Sequence, residues 1–182
     1  FDYVRPASIE EAIALLQVNP DTRVLAGGTN LLVDMKLEHA APANVIDITQ
    51  LSELRGLEQQ AQTTAIGALT SIRELAISEH LWRNHSCLAE SAQAFGSTQI
   101  MMMGTLGGNI ANGSPASDTV PALVVLGADV EIQGPDGRRT ALVADLLQGP
   151  GRVGLEAGEI IRSIRIPHAP QGTGSAFLKL SR

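Results

Sequence analysis

The side chains with the most evident binding chemistry in this sequence are concentrated in one polar stretch, residues 104–121, which reads GTLGGNIANGSPASDTVP. Gly104, Gly107, Gly108 and Gly113 are interleaved there with Thr105, Asn109, Asn112, Ser114, Ser117 and Thr119, and Asp118 is its only charged residue. No Lys or Arg stands between Arg83 and Arg138. Glycine has no Cβ, so paired glycines let backbone N–H groups approach another molecule closely. Successive N–H groups in such turns form anion-binding concavities that hold a diphosphate without a basic side chain. Asn, Ser and Thr add short hydrogen bonds suited to phosphate oxygens, sugar hydroxyls and ring edges. Gly-Asn-Ser clusters are also ordinary turn chemistry, so a surface loop with no ligand is the competing account. A second glycine pair, LAGGTN at residues 25–30, weighs against it. Its spacing is neither the G-x-G-x-x-G of a Rossmann unit nor a Walker loop.

The elements that position these loops follow from periodicity and punctuation. Ser8 and Glu11 have capping-box spacing ahead of the apolar face Ile9, Ala12, Ile13 and Leu16. Residues 24–26 read as a short strand running through the first glycine pair into a helix-like segment, 31–37. That strand–glycine–helix layout suits a phosphate cradle. Residues 44–48 read as a buried strand, and 57–60 with 64–68 as a hairpin. Ser71 and Glu74 make a second capping box. Residues 87–95 read as a helix closed by Gly96. Residues 97–103 read as extended or irregular. Residues 122–126 read as a helix stopped at Gly127. Residues 129–133 alternate with period two, turn at Gly134-Pro135-Asp136-Gly137 and pair back through 138–141. Residues 144–147 read as a brief helix and 159–167 as a strand, and 177–182 look like a strand cut off. Short strands and helices mixed without regular βαβ alternation give an α+β class. The expected organisation is a small N-terminal lobe, 1–40, and a larger mixed-sheet lobe, 41–182, with a ligand between them.

Composition excludes several classes. The chain has 182 residues, 44% of them hydrophobic, enough to bury a core. A net charge of −6 argues against nucleic acid as a partner. With Cys87 as the one cysteine, neither an internal disulfide nor a four-cysteine iron–sulfur cluster can form. This cysteine usage points to a reducing, cytoplasmic compartment, and no apolar run approaches membrane-spanning length. His39, His80, His85 and His168 are dispersed without metal-ligand spacing and read as surface or capping residues. Met101-Met102-Met103 read as core filler or as a soft patch beside a ligand. Cys87 reads as a buried apolar residue. Arg162 and Arg165 read as a solvated edge or as a face for an acidic partner.

The pair AGGTNLL, residues 26–32, and TLGGNIANGSPASDTVPAL, residues 105–123, resembles the FAD-binding (medium) subunit of the molybdenum hydroxylases, the xanthine dehydrogenase and carbon monoxide dehydrogenase-like family. The likeness extends over residues 1–6, over Gly149-Pro150-Gly151-Arg152, over 159–167 and over 175–182, so it covers essentially the whole chain. The first motif is shared with a wider class of two-lobed FAD proteins; the second is specific. The resemblance implies a two-lobed, PCMH-type FAD-binding domain. Family members continue past position 182 into a C-terminal domain, which implies that this chain is a fragment.

Roles carry over residue by residue as implications of that resemblance. Val24, Leu25, Ala26, Gly27, Gly28, Thr29, Asn30 and Leu31 would wrap the FAD diphosphate. Thr105, Leu106, Gly107, Gly108 and Asn109 would complete the cradle. Phe95 would stand by the adenine or flavin ring, or else close its helix onto the core. Asn112 and Ser117 would bond the ribityl chain or ring edge. Asp118 would accept from a cofactor hydroxyl, cap the helix that follows, or both. Ile161 would touch the flavin or simply fill the core. Lys179, or Leu178 by spacing from Pro167, would stand where the family has a cation near the flavin. No catalytic residue and no metal ligand is implied in this chain. Its implied partners are a molybdenum-cofactor subunit and a 2Fe-2S subunit, with NAD+ or oxygen as possible acceptor. A self-sufficient flavin oxidoreductase and a flavin-free scaffold are the rival expectations.

Overall fold

The computed structural model describes residues 1–180. The chain opens with β1 (Asp2–Val4), α1 (Ile9–Val18), β2 (Thr22–Leu25), α2 (Leu31–Lys36) and β3 (Asn44–Asp47). Ser8 accepts from the Glu11 N–H and starts α1, while the Glu11 carboxylate reaches back to Ala7 instead of Ser8. The three strands form a parallel sheet in the order β1-β3-β2. The central strand is therefore β3, which lies beyond the lobe boundary expected at residue 40. A strand that must pair on both edges belongs with its partners, whatever the composition of the loop before it.

A 3-10 turn (Ser52–Leu54) leads to β4 (Leu57–Gln59), β5 (Thr63–Gly67), α3 (Ile72–Ile77), α4 (Glu79–Asn84), α5 (Ser86–Gln93) and α6 (Thr98–Met103). The capping box is complete at α3, with Ser71 and Glu74 bonding each other's backbone. Helix α6 replaces the irregular segment expected there. Ser97 caps it by accepting from the Ile100 N–H, and the three methionines are good helix formers.

After α7 (Leu106–Ala111) and α8 (Thr119–Val125) come β6 (Asp129–Gly134), β7 (Gly137–Leu142), α9 (Val143–Leu146), β8 (Leu147–Gly149), β9 (Arg152–Val153) and β10 (Ile160–Pro167). The larger sheet has the order β4-β5-β10-β6-β7 and its pairings are antiparallel. Strand β10 is central, so Arg162 and Arg165 are not on an edge. Both are half-buried and paired within the chain, Arg162 with Glu53 at 2.9 Å and Arg165 with Asp129 at 2.8 Å.

The main core packs Ile66, Val130, Ile132, Ile164 and Ile166 of the sheet against Ile72, Leu75, Leu88, Ala92 and Leu123 of the helices, with Cys87 and Met101 among them. A second core gathers Ile9, Ala12, Ile13, Ile46, Ile48, Leu51 and Leu54 with Leu69 and Ile160. Those last two come from the larger unit, so the two cores are sewn together at the ends of β5 and β10.

Past β10 the chain runs back along α5. Ser86 Oγ donates to the Ser175 carbonyl, the Phe177 N–H donates to Glu90, and Lys179 pairs with Asp118 at 2.8 Å. Residues 177–180 form no strand. Ser181 and Arg182, the end of the expected strand, lie outside the described residues. The expectation of dispersed histidines also changes. His85 is buried, and His80, His85 and His168 meet around Thr64. His80 and His85 are neighbours through α4, with an H-x4-H spacing inside the range of zinc ligands, while the β5–β10 pairing brings His168 to Thr64 from far along the chain.

Candidate functional site

A cavity of about 410 Å3 lies between the two cores. One wall is the loop joining β2 to α2. Its conformation depends on glycine at two positions. Gly28 adopts φ +71°, which a side chain rarely tolerates, and a Cβ on Gly27 would sit 2.1 Å from the Met103 carbonyl oxygen. Gly27 is thus where this loop touches the end of α6, main chain against main chain. Among the described residues, the backbone N–H groups of Gly27, Gly28, Thr29 and Asn30 donate to no protein acceptor. Four consecutive unspent donors line the cavity here.

The opposite wall is the start of α7. It is built differently from the expected backbone cradle. Thr105 caps the helix by accepting from the Gly108 N–H at 3.1 Å. The Gly107 N–H donates to the Ala68 carbonyl at 2.9 Å, and a Cβ there would lie 2.6 Å from Ala68 Cβ. Glycine at 107 therefore serves close packing of α7 on the end of β5. Gly108 presents a side-chain-free surface to the cavity, with Ala26 Cβ 3.9 Å from where its own Cβ would be. Asn109 Oδ1 accepts from Ser117 Oγ at 2.5 Å and from Thr119 Oγ1 at 2.6 Å, which fixes its amide at the cavity wall.

The structure brings most of the expected residues together. Val24, Ala26, Gly27, Gly28, Thr29, Asn30, Leu31, Phe95, Thr105, Gly107, Gly108, Asn109, Asn112 and Ile161 line the cavity. Phe95 also packs on the main core, and Ile161 is buried in it, so each serves the core as well as lining the cavity. Others sit elsewhere. Leu106 is fully buried in the core, and Leu25 packs its side chain against Gly28. Ser117 acts through Asn109. Asp118 makes no capping hydrogen bond to α8 and is paired instead with Lys179, beyond the cavity lining. Lys179 lies against the end of α5, and Leu178 is exposed.

Arg23, Asp34, Leu155, Glu159 and Ile160 also line the cavity and were not singled out from sequence. Arg23 and Asp34 lie within a strand or a helical turn of the first glycine pair, a signal available in the sequence. Leu155, Glu159 and Ile160 arrive through the β10 pairing. Arg139 grips both oxygens of Glu159 at 2.6 Å. That hydrogen-bonded pair holds the Glu159 carboxyl below the usual range, so its charge is fixed and internally neutralised. The cavity is a largely apolar slot between two loops, with fixed amides on one side and free N–H donors on the other. It can hold an elongated, phosphate-bearing ring cofactor. It contains no nucleophile–base pair among the described residues.

Comparison with known proteins points the same way. Residues 1–169 match the family model described as the FAD binding domain in molybdopterin dehydrogenase. The chain is 39% identical to the carbon monoxide dehydrogenase medium chain of Afipia carboxidovorans, over all of this chain and 64% of that one. It is 33% identical to the xanthine dehydrogenase FAD-binding subunit of Escherichia coli O157:H7, over 97% of this chain and 61% of that one. It superposes on a chain of carbon monoxide dehydrogenase from Hydrogenophaga pseudoflava with a TM-score of 0.97 at 39% identity, over 100% of this chain and 64% of that chain. The chain thus spans under two thirds of the length of these relatives.

Proposed function

Since this chain belongs to the family of FAD-binding domains of the molybdopterin dehydrogenases, we propose that it holds FAD across the cleft and serves as the electron-transfer flavoprotein part of a molybdenum hydroxylase. The single observation carrying this reading is the run of four N–H groups without a protein acceptor, on residues Gly27 to Asn30, which line a cavity of about 410 Å3. These donors are half-exposed or exposed, so water satisfies them when no ligand is bound, and a diphosphate is the ligand that takes up several consecutive backbone donors without a basic side chain.

The chain's own residues bind, orient and exclude water. Gly27, Gly28, Thr29 and Asn30 would hold the diphosphate. Gly108 leaves room for close approach, and Asn109 and Asn112 would bond the ribityl chain or the ring edge. Phe95 and Ile161 offer apolar contact to a ring, and Leu155 and Ile160 help close the slot to solvent. Bound FAD supplies the redox chemistry, taking electrons singly and giving them up as a pair. The partners that fit this role are a molybdenum-cofactor subunit and a 2Fe-2S subunit upstream, with NAD+ or oxygen as acceptor, in the cytoplasm. No helix among the described residues is long and apolar enough to cross a membrane.

The test is the absorbance spectrum of the purified chain after adding FAD and removing the excess. Flavin bands are expected at one FAD per chain. Gly108→Val, which fills the slot at the price of a strained Thr105 cap, is expected to lose them while keeping the far-ultraviolet dichroism of the native fold. A native chain that folds but retains no flavin, here and in its full-length form, overturns the proposal.

A further inference from the structure

At the far ends of β5 and β10, away from the cleft, three histidines, two from α4 and one that follows β10, converge on one threonine. Thr64 Oγ1 stands 2.8 Å from His80 Nε2, 2.9 Å from His85 Nε2 and 3.3 Å from His168 Nε2. His80 lies in α4, His85 ends it, and His168 follows β10 directly. One ligand nitrogen from each ring lies within 4.8 Å of the other two. Thr64 and His85 are buried, whereas His80 and His168 are half-buried, so the cluster is reachable from solvent.

Hydrogen bonding alone accounts for this cluster incompletely. A hydroxyl has one proton to give and two lone pairs. It serves three rings only if two of them donate and one accepts. Asn84 Nδ2 stands 3.3 Å from His80 Nδ1, so in the metal-free chain that nitrogen accepts and the His80 proton sits on Nε2, toward Thr64; ligation through Nε2 moves that proton to Nδ1 and gives up the Asn84 contact. His85 Nδ1 is in addition buried without a partner, at a cost of about 1–3 kcal/mol that a ligand at Nε2 does not remove. One ring and a water would satisfy a threonine at lower cost. Three converging imidazoles are the ligand set of a transition-metal cation.

We propose that His80, His85 and His168 form a binding site for one divalent transition-metal ion of the zinc class. Zinc takes imidazole nitrogen at about 2.0–2.1 Å in tetrahedral geometry, which sets the three nitrogens about 3.3 Å apart. Closing from the present spacing needs at most about 1.5 Å of movement, within reach of side-chain rotation by the two half-buried rings. The fourth position falls on the side of Thr64, to its hydroxyl or to a water. An all-imidazole set selects zinc, nickel, cobalt or copper over magnesium or calcium, which require oxygen ligands. The ion would tie the end of β10 to the α4–α5 junction. It would lie roughly 20 Å along β10 from the cavity, at about 3.3 Å per residue, so its role is structural. The proposal is independent of FAD binding.

The test uses the full chain, prepared without a histidine tag and stripped of metal, titrated with Zn(II) by calorimetry and with Co(II) by visible absorption. One ion per chain is expected, with the intense bands of low-coordinate Co(II), displaced by Zn(II). His80→Gln and His168→Gln are each expected to weaken binding by about 100-fold, while His39→Gln, at the exposed fourth histidine, leaves the titration unchanged. A pale six-coordinate Co(II) spectrum in the native chain, or no saturable binding, overturns the site whether or not the variants fold. Undiminished binding by both folded variants overturns it equally.

Discussion

At the scale of single residues, two buried ionisable groups bias the pH dependence of stability in defined windows. Burial, with lesser repulsion from His80 and His168, holds the His85 imidazole at about 4. The unfolded chain, with its histidine near 6.5, takes up the proton first as pH falls. Metal-free protein is therefore at full stability above about 6.5 and loses it progressively toward 4, by roughly 3 kcal/mol. Denaturant titrations across that window measure the loss, which is expected to shrink in His85→Gln. Asp47 acts lower on the scale. Burial alone would raise its carboxyl, but hydrogen bonds from Thr49, Tyr3 and Arg5 outweigh burial and hold it at about 2. Its contribution is present above its ordinary 3.8 and is lost as pH falls through about 2. Thr64→Val removes the hub shared by the three histidines and leaves both nitrogens of His85 unpaired. A loss of about 1–3 kcal/mol in unfolding free energy is expected in the metal-free chain.

At the scale of elements, local signals were legible wherever one residue does one job. The Ser71–Glu74 box starts α3 as its spacing implies, and Ser71→Ala is expected to lower the melting free energy by about 1 kcal/mol. The β6–β7 hairpin turns at Gly134-Pro135-Asp136-Gly137 as written. The glycine pairs also announced the cavity, but their physical roles diverge. Gly27 and Gly28 shape a loop with free donors, whereas Gly107 is small so that α7 can lie on Ala68. Sequence cannot separate these uses, because both require only the absence of a Cβ. Helix α6 was missed for a related reason. Its cap, Ser97, lacks an acidic residue three positions on, so no capping box marked it. Residues set by strand pairing were out of reach: Glu159 and Ile160 at the start of β10 in the cavity, and His168 at its other end. Asp118 looked like a cap and is instead held by Lys179. That pair is partly exposed, so Lys179→Ala is expected to cost at most about 1 kcal/mol while freeing the segment along α5, read as faster amide exchange at Phe177.

At the scale of the whole molecule, the two cores share a seam. Leu69 joins the smaller core while its neighbour Ala68 joins the larger, and Ile160 and Ile161 divide in the same way. Neither half can loosen without exposing residues of the other. Thermal unfolding is expected as one transition, coincident by far-ultraviolet dichroism and by Trp82 fluorescence, with FAD raising the midpoint. Leu69→Ala is expected to cost about 2–5 kcal/mol and to leave a single transition. Two separated transitions would show that the seam is weaker than its packing implies. The contact of Gly27 with the Met103 carbonyl has a consequence for descent. A contact made between main chains gives selection only one side chain to act upon, and here that side chain is a hydrogen atom. Mutational drift can rewrite the exposed Met103 freely, since what it contributes at the contact is a carbonyl every amino acid possesses. Among descendants of this sequence, position 27 should stay fixed while its partner position wanders. Pairwise covariation would then be silent at the very point where the two loops touch.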